Sequence, residues 1–162
     1  MRVGHGWDRH RLAQGRPFRM GGLTIPFDHG PVGHSDGDCA LHALADAILG
    51  AAALGDIGLL FPDSDARWKG ADSTEFIEEI LRRVHTAGFR VGNADLTIIT
   101  EAPKIGPYRE ALRQRIGQLL EIHPSHVSIK AKTGEGVDAV GRREAVECHA
   151  VVLLEEVPKT FD

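Results

Sequence analysis

Asp8 and His10 stand two residues apart in a stretch, Arg2 to Arg11, that reads as extended. In a strand that spacing sends both side chains off one face. His42 lies early in a second stretch, Asp38 to Leu54, where Leu41, Leu44, Ala45, Ile48 and Ala52 recur at helical spacing. One carboxylate and two imidazoles are a common zinc set, and three protein ligands leave a fourth position for water or substrate. The same residues also fit a surface pair on an edge strand plus a hydrogen-bonded core histidine, and spacing alone does not choose between the two. Asp46, one turn beyond His42, could hold the second ring nitrogen of that histidine, or it could simply face solvent.

A polar run, His34-Ser35-Asp36-Gly37-Asp38, leads into the same helix. Exposed N–H groups at a helix start favour anions, and a neighbouring histidine can donate to phosphate oxygens. Ser35 or Asp36 could equally serve as a cap.

The elements that must position these groups follow from pattern. Arg2–Arg11 and Phe18–Phe27 read as two extended segments around a Gly15-Arg16-Pro17 turn, and residues 28–37 as loop. Gly55 is expected to end the first helix. A second helix is expected over Ser73–Ala87, opened by an Asp72/Glu75 capping pair, buried along Phe76, Ile77, Ile80, Leu81 and Val84, and closed by Gly88. Val91–Thr100 reads as a strand, Pro107–Ile122 as a third helix, and Val127–Thr133 and Val146–Leu154 as further strands. Interleaved strands and helices predict an α+β fold, one sheet covered by helices. Without a repeat, a linker or a low-complexity tract, residues 1–162 are expected to form a single domain.

Bulk properties narrow the function. A chain of 162 residues buries roughly 70% of its unfolded surface, so a core needs no disulfides. Hydrophobic content of 42% and charged content of 26% suit a soluble globular protein. A formal net charge of −4 argues against a general nucleic-acid binder, but an anionic small molecule responds to its local pocket. Cys39 and Cys148 are isolated, as in a reducing cytosol. The first residues form no apolar signal core, and no apolar run is long enough to span a bilayer. A cytoplasmic protein without membrane or nucleic-acid partners is expected. Neither a GxxxxGKS/T phosphate loop nor a GxSxG elbow occurs.

Longer signatures add to this reading. Arg2-Val3-Gly4-His5-Gly6-Trp7-Asp8-Arg9-His10, His34-Ser35-Asp36-Gly37-Asp38, Leu41-His42-Ala43-Leu44, Gly55-Asp56-Ile57-Gly58 and Phe61-Pro62-Asp63 occur in that order. Ala102-Pro103-Lys104, Lys130-Ala131-Lys132-Thr133-Gly134-Glu135 and Gly141-Arg142 follow. Together they resemble the 2-C-methyl-D-erythritol 2,4-cyclodiphosphate synthase family. The resemblance implies Zn2+, or a similar divalent ion, at Asp8, His10 and His42. It implies transition-state stabilisation by His34 and Thr133, with Ser35 alongside and Arg9 among the substrate contacts. Asp56, Ile57 and Gly58, with Phe61, Pro62, Asp63, Ser64 and Asp65, would hold the methylerythritol part. Thr100, Glu101, Ala102, Pro103, Lys104, Ile105 and Gly106, with Lys132, Thr133, Gly134 and Glu135, would form the cytidine and diphosphate pocket. Glu135 would help place a second ion, Mg2+ or Mn2+, and Arg142 would lie near phosphate. The resemblance also implies a ferredoxin-like arrangement in a homotrimer whose active sites are shared between neighbouring subunits.

The implied reaction suits these residues. In 4-diphosphocytidyl-2-C-methyl-D-erythritol 2-phosphate, an oxygen of the 2-phosphate attacks the β-phosphorus and CMP leaves. That nucleophile is already ionised near neutral pH, so the protein must mainly position it in line and neutralise charge. Two other readings use the same residues: a zinc phosphohydrolase that delivers metal-bound water, and a non-catalytic metal-dependent assembly module. Three positions depart from the family pattern. Lys132 replaces a small hydroxyl residue, Arg143 replaces a frequent glycine, and Ala139 replaces the aromatic expected to line an apolar cavity on the trimer axis.

Overall fold

The computed structural model describes residues 1–157, so the last residues of the 1–162 domain expectation, 158–162, lie outside the described part. Strand β1 (Arg2–Gln14) alternates, with Gly4, Gly6 and Leu12 buried and Val3, His5, Trp7 and Arg9 exposed. The glycines leave room for helix α1 (Cys39–Ala52), which lies directly across β1 and is buried over most of its length. Strands β2 (Phe18–Met20) and β3 (Leu23–Ile25) form a small hairpin, and β4 (His29–Pro31) pairs with the end of β1. A one-turn helix α2 (Ile57–Leu60) and helix α3 (Ser73–Thr86) follow, then β5 (Phe89–Ile99), α4 (Arg109–Leu120), β6 (Val127–Lys132), a short α5 (Asp138–Gly141) and β7 (Ala145–Glu156).

The main sheet runs β4-β1-β7-β5-β6. Only the β5–β6 pair is parallel, and α4 connects its two strands; the other pairs are antiparallel. Helices α1, α3 and α4 pack side by side over one face. That face supplies Val146, Cys148, Ala150 and Val152 from β7 and Ala94, Leu96 and Ile98 from β5, all buried. The opposite face exposes Val3, Trp7 and Val151. This is the expected α+β architecture, a sheet covered by helices.

Several details differ from the sequence expectation. The 18–27 segment is a hairpin because Gly21 and Gly22, both at positive φ (59° and 77°), reverse the chain. Part of the 28–37 loop is the edge strand β4. Helix α1 ends at Ala53 and not at Gly55: Ala53 takes the left-handed conformation (φ 57°) and its N–H bonds back to the Gly50 and Leu49 carbonyls. Asp72 caps α3 through the Thr74 N–H at 2.9 Å, where Glu75 was the expected partner. A ferredoxin-like sheet uses split β-α-β crossovers. Here β7 does separate β1 from β5, but β5 and β6 are direct neighbours, so the second crossover departs from that pattern.

Candidate metal centre and cleft

Asp8 and His10 leave the helix-facing side of β1, and His42 comes down from the first turn of α1 to meet them. Asp8 Oδ2 is 2.8 Å from His10 Nε2 and 3.2 Å from His42 Nδ1, and the two ring nitrogens are 3.0 Å apart. Two ligands on a tetrahedral zinc with bonds of about 2.0–2.1 Å lie about 3.3 Å apart. The three atoms need only spread by a few tenths of an ångström to share one ion. Among the described residues this trio is the one group of three or more such side chains whose ligand atoms converge. At Asp8 and His10 strand β1 is bonded to β7 alone, since β4 reaches only Leu12–Gln14. What favours a metal set over a surface pair beside a core histidine is that all three side chains are partly buried and converge on one point.

The two imidazoles are held from behind. His10 Nδ1 lies 2.8 Å from the Val32 carbonyl. A carbonyl only accepts, so Nδ1 carries the hydrogen and Nε2 is left to face the site. Burial pushes the Asp8 carboxyl up, but the hydrogen bonds and positive charge of His10 and His42 outweigh it and hold Asp8 well below the usual carboxylate range. Burial likewise pulls His10 down, yet the Asp8 carboxylate and the Val32 carbonyl leave it above its ordinary value. Asp46 does not touch His42. Its Oδ1 accepts the Ile57 N–H at 2.8 Å, tying α1 to the start of α2.

The trio lies at one side of a cleft of about 530 Å³. His34, Ser35, Ile57, Gly58, Phe61, Pro62 and Asp63, which the family resemblance implies as site residues, line this cleft. His34 Nδ1 comes within 3.9 Å of Asp63 Oδ1. Asp56 caps α2 by accepting the Leu59 N–H, and Asp65 caps the following turn and pairs with Arg67. These two and Ser64 border the cleft without lining it, and Arg9 pairs with Glu147 on the opposite face of the sheet. Trp68 and Phe76 complete the apolar wall, with Phe61 stacked on Phe76 at 4.5 Å and edge-on to Trp68 at 5.1 Å. Phe76 is core, as its helical spacing predicts, and also forms part of this wall; the sequence reading assigns Trp68 no role. An aromatic in the turn before α3 and another on its first turn were the available signal.

The remaining site residues gather elsewhere. Residues 100–106 and 132–135 extend the C-terminal ends of the parallel neighbours β5 and β6. They are knitted together by Thr100 N–H to the Lys132 carbonyl (3.0 Å) and Gly134 N–H to Glu101 (3.0 Å). Thr133 Oγ1 donates to Glu135 at 2.8 Å; Lys104 and Lys132 are exposed and Ile105 is buried. Arg142 follows Gly141, whose backbone packs on Gly136, and pairs with Glu144 at 3.2 Å. Strands β1 and β6 are three strand spacings apart, about 14 Å, so Glu135 is not a ligand of the Asp8 trio within one chain.

Comparison with known proteins agrees with this geometry. The model of the YgbB family matches residues 1–155. A 2-C-methyl-D-erythritol 2,4-cyclodiphosphate synthase of Koribacter versatilis is 54% identical over 156 residues, 96% of this chain and 99% of its own length. A solved 2C-methyl-D-erythritol-2,4-cyclodiphosphate synthase in a CDP-bound form superposes with a TM-score of 0.88 at 45% identity, over 95% of this chain and all of the other. The CDP complex of Plasmodium falciparum IspF gives 0.84 at 32% identity, over 97% of each chain. The chain belongs to the 2-C-methyl-D-erythritol 2,4-cyclodiphosphate synthase family.

Proposed function

We propose that this protein converts 4-diphosphocytidyl-2-C-methyl-D-erythritol 2-phosphate into 2-C-methyl-D-erythritol 2,4-cyclodiphosphate and CMP, in the non-mevalonate route to isoprenoids. The observation that carries the reading is the meeting of Asp8 Oδ2, His10 Nε2 and His42 Nδ1 beside a cleft that His34 also lines. Those three groups would hold a divalent ion, zinc by the donor set, which when bound supplies positive charge to a phosphoryl oxygen. Asp8 and the two imidazoles orient that site. His34 and Ser35 stand beside it as donors to the phosphate, and the Phe61–Phe76–Trp68 wall keeps water from the reacting centre. Ile57, Gly58 and the 61–65 turn would receive the polyol.

At the other cluster, Lys104, Lys132 and the N–H groups of residues 132–135 would bind the cytidine diphosphate part. Thr133 would donate to the phosphoryl group undergoing transfer. Glu135 would hold a second ion, Mg2+ or Mn2+. The separation of this cluster from the metal trio supports a homotrimer in which one chain's trio faces a neighbour's 132–135 loop. The split crossover through β7 supports the ferredoxin-like part of the reading, although the adjacent β5–β6 pair departs from it. We place the chain in the cytosol as a single domain; no helix among the described residues is long and apolar enough to cross a membrane.

The test is release of CMP from the named substrate with and without a chelator, with the product followed by phosphorus NMR. A chelator-sensitive cyclic diphosphate is expected. A linear monophosphate product points instead to a phosphohydrolase, and zinc binding without CMP release to an assembly module.

A further inference from the structure

On its far side, His42 Nε2 faces two hydroxyls, Ser73 Oγ at 2.9 Å and Ser35 Oγ at 3.0 Å. Ser73 is fully buried at the start of α3. Its hydroxyl is also in close contact with Asp36 Oδ1. Asp36 is itself pinned: Oδ1 accepts the Asp38 N–H at 3.1 Å, Oδ2 accepts the Ser73 N–H at 3.2 Å, and Arg19 Nε lies 3.5 Å from Oδ2.

The direction of every proton in this chain follows from its end. A carboxylate only accepts, so the Ser73 hydroxyl must spend its hydrogen on Asp36. Its oxygen then has only lone pairs to offer, and His42 must present Nε2–H to it. The other ring nitrogen, Nδ1, is aimed between Asp8 and His10, 3.2 Å from Asp8 Oδ2; with Nε2–H held by Ser73, the Nδ1 lone pair is the one a metal ion would take. We infer that Ser73 and Asp36 are positioning residues that fix the tautomer and ring orientation of His42 for metal binding. The linked loops support the same role, since Asp36 N–H bonds to the Ala71 carbonyl (3.0 Å) and Gly70 N–H to the His34 carbonyl (2.8 Å). Ser35 is different. It lines the cleft and has no carboxylate behind it to set the direction of its proton, so it remains free to turn to a ligand.

This inference rests on the metal reading of Asp8, His10 and His42, but not on the reaction. Zinc affinity is measured by chelator competition in Ser73→Ala, Ser73→Thr and Ser35→Ala, with thermal melts to check folding. Loss of a partner behind a metal-bound histidine weakens binding by about 10- to 100-fold. That loss is expected for Ser73→Ala, largely recovered in Ser73→Thr and absent in Ser35→Ala. Nitrogen-15 NMR of the zinc-bound wild type should show His42 with the metal on Nδ1 and hydrogen on Nε2. Wild-type affinity in Ser73→Ala, an equal loss in Ser35→Ala, or metal on Nε2 would each overturn the relay. The NMR result decides even if Ser73→Ala fails to fold. Failure of the wild type to bind zinc at all would instead sink the metal site itself.

Discussion

A Cβ placed on Gly6 of β1 would sit 1.9 Å from the carbonyl oxygen of Ala43 in α1, and one on Gly4 would sit 1.9 Å from that of Ala47. Backbone is in the way at both positions, so a side chain would force α1 off the sheet. His42 rides on the first turn of that helix, next to Ala43. Gly6→Ala is therefore expected to cost about 3 kcal/mol or more and to weaken metal retention together with stability. Gly50 serves as the control: nothing lies within 4 Å of its Cβ position. It is exposed in the same helix, so Gly50→Ala should stabilise by about 0.5–1 kcal/mol. Urea melts with zinc analysis of both variants check this; normal zinc content in a folded Gly6→Ala would show that the close approach does not set the site.

The ligand trio was legible because both of its spacings are local. Asp8 and His10 are related by strand alternation, and His42 by the periodicity of α1. What joins them, and what supports His42, is tertiary. The sequence offered Asp46, one turn away, as the carboxylate behind His42, yet the structure reaches Asp36 through Ser73, which begins a different helix. The i, i+4 rule places two residues on one helical stripe but does not say that their side chains point at each other. Asp46 is drawn instead to an unpaired N–H at the start of α2. The Gly21-Gly22 reversal was legible in composition and was missed because the hydrophobic run continues through it.

The Asp8–His10 pair makes a prediction for the metal-free protein. Asp8 is held low, despite the opposing effect of burial, by its bonds to His10 and His42. Its contribution to stability is present above the ordinary carboxylate range and is lost as pH falls through its depressed value. His10 is held high by Asp8 and the Val32 carbonyl, again against burial. Its contribution is full below the ordinary imidazole value of about 6.5 and is lost as pH rises through the raised one. Proton NMR of chelated protein should find His10 titrating above 6.5, and Asp8→Asn should bring it down. An unshifted His10 in the wild type would contradict the pairing.

Asp38 is wholly buried and caps α1. Burial pushes its carboxyl up, against three backbone donors: Oδ1 accepts from Gly21 (2.8 Å) and Leu41 (3.0 Å), and Oδ2 from Gly22 (2.7 Å). A raised acid loses stability as pH climbs from the ordinary carboxylate value toward the raised one, which alone would favour a neutral replacement. The donors argue the other way, because an amide presents its NH2 to one of those N–H groups. Asp38→Asn is expected to destabilise by about 1–3 kcal/mol, and Asp38→Ala by more. If urea denaturation finds Asp38→Asn as stable as the wild type, charge burial outweighs the hairpin clamp.

The two clusters of proposed site residues lie in different parts of the chain, the Asp8–His10–His42 trio on β1 and α1 and the loops proposed to bind phosphate beyond β5 and β6. If each active site combines one chain's trio with a neighbour's loops, defects in the two should complement. His42→Ala removes a proposed metal ligand, Glu135→Ala removes the proposed second-ion group, and each alone should be nearly inactive. Mixed trimers formed by co-expression would contain some sites built from the intact trio of one variant and the intact loop of the other. Random assembly in a closed ring gives about a quarter of sites intact, so CMP release should return to about a quarter of the wild-type rate. Mixing the variants without subunit exchange should restore nothing. Activity in co-expressed material no higher than in either parent would place the whole site within one chain and would end the shared-site reading, whatever the oligomeric state proved to be.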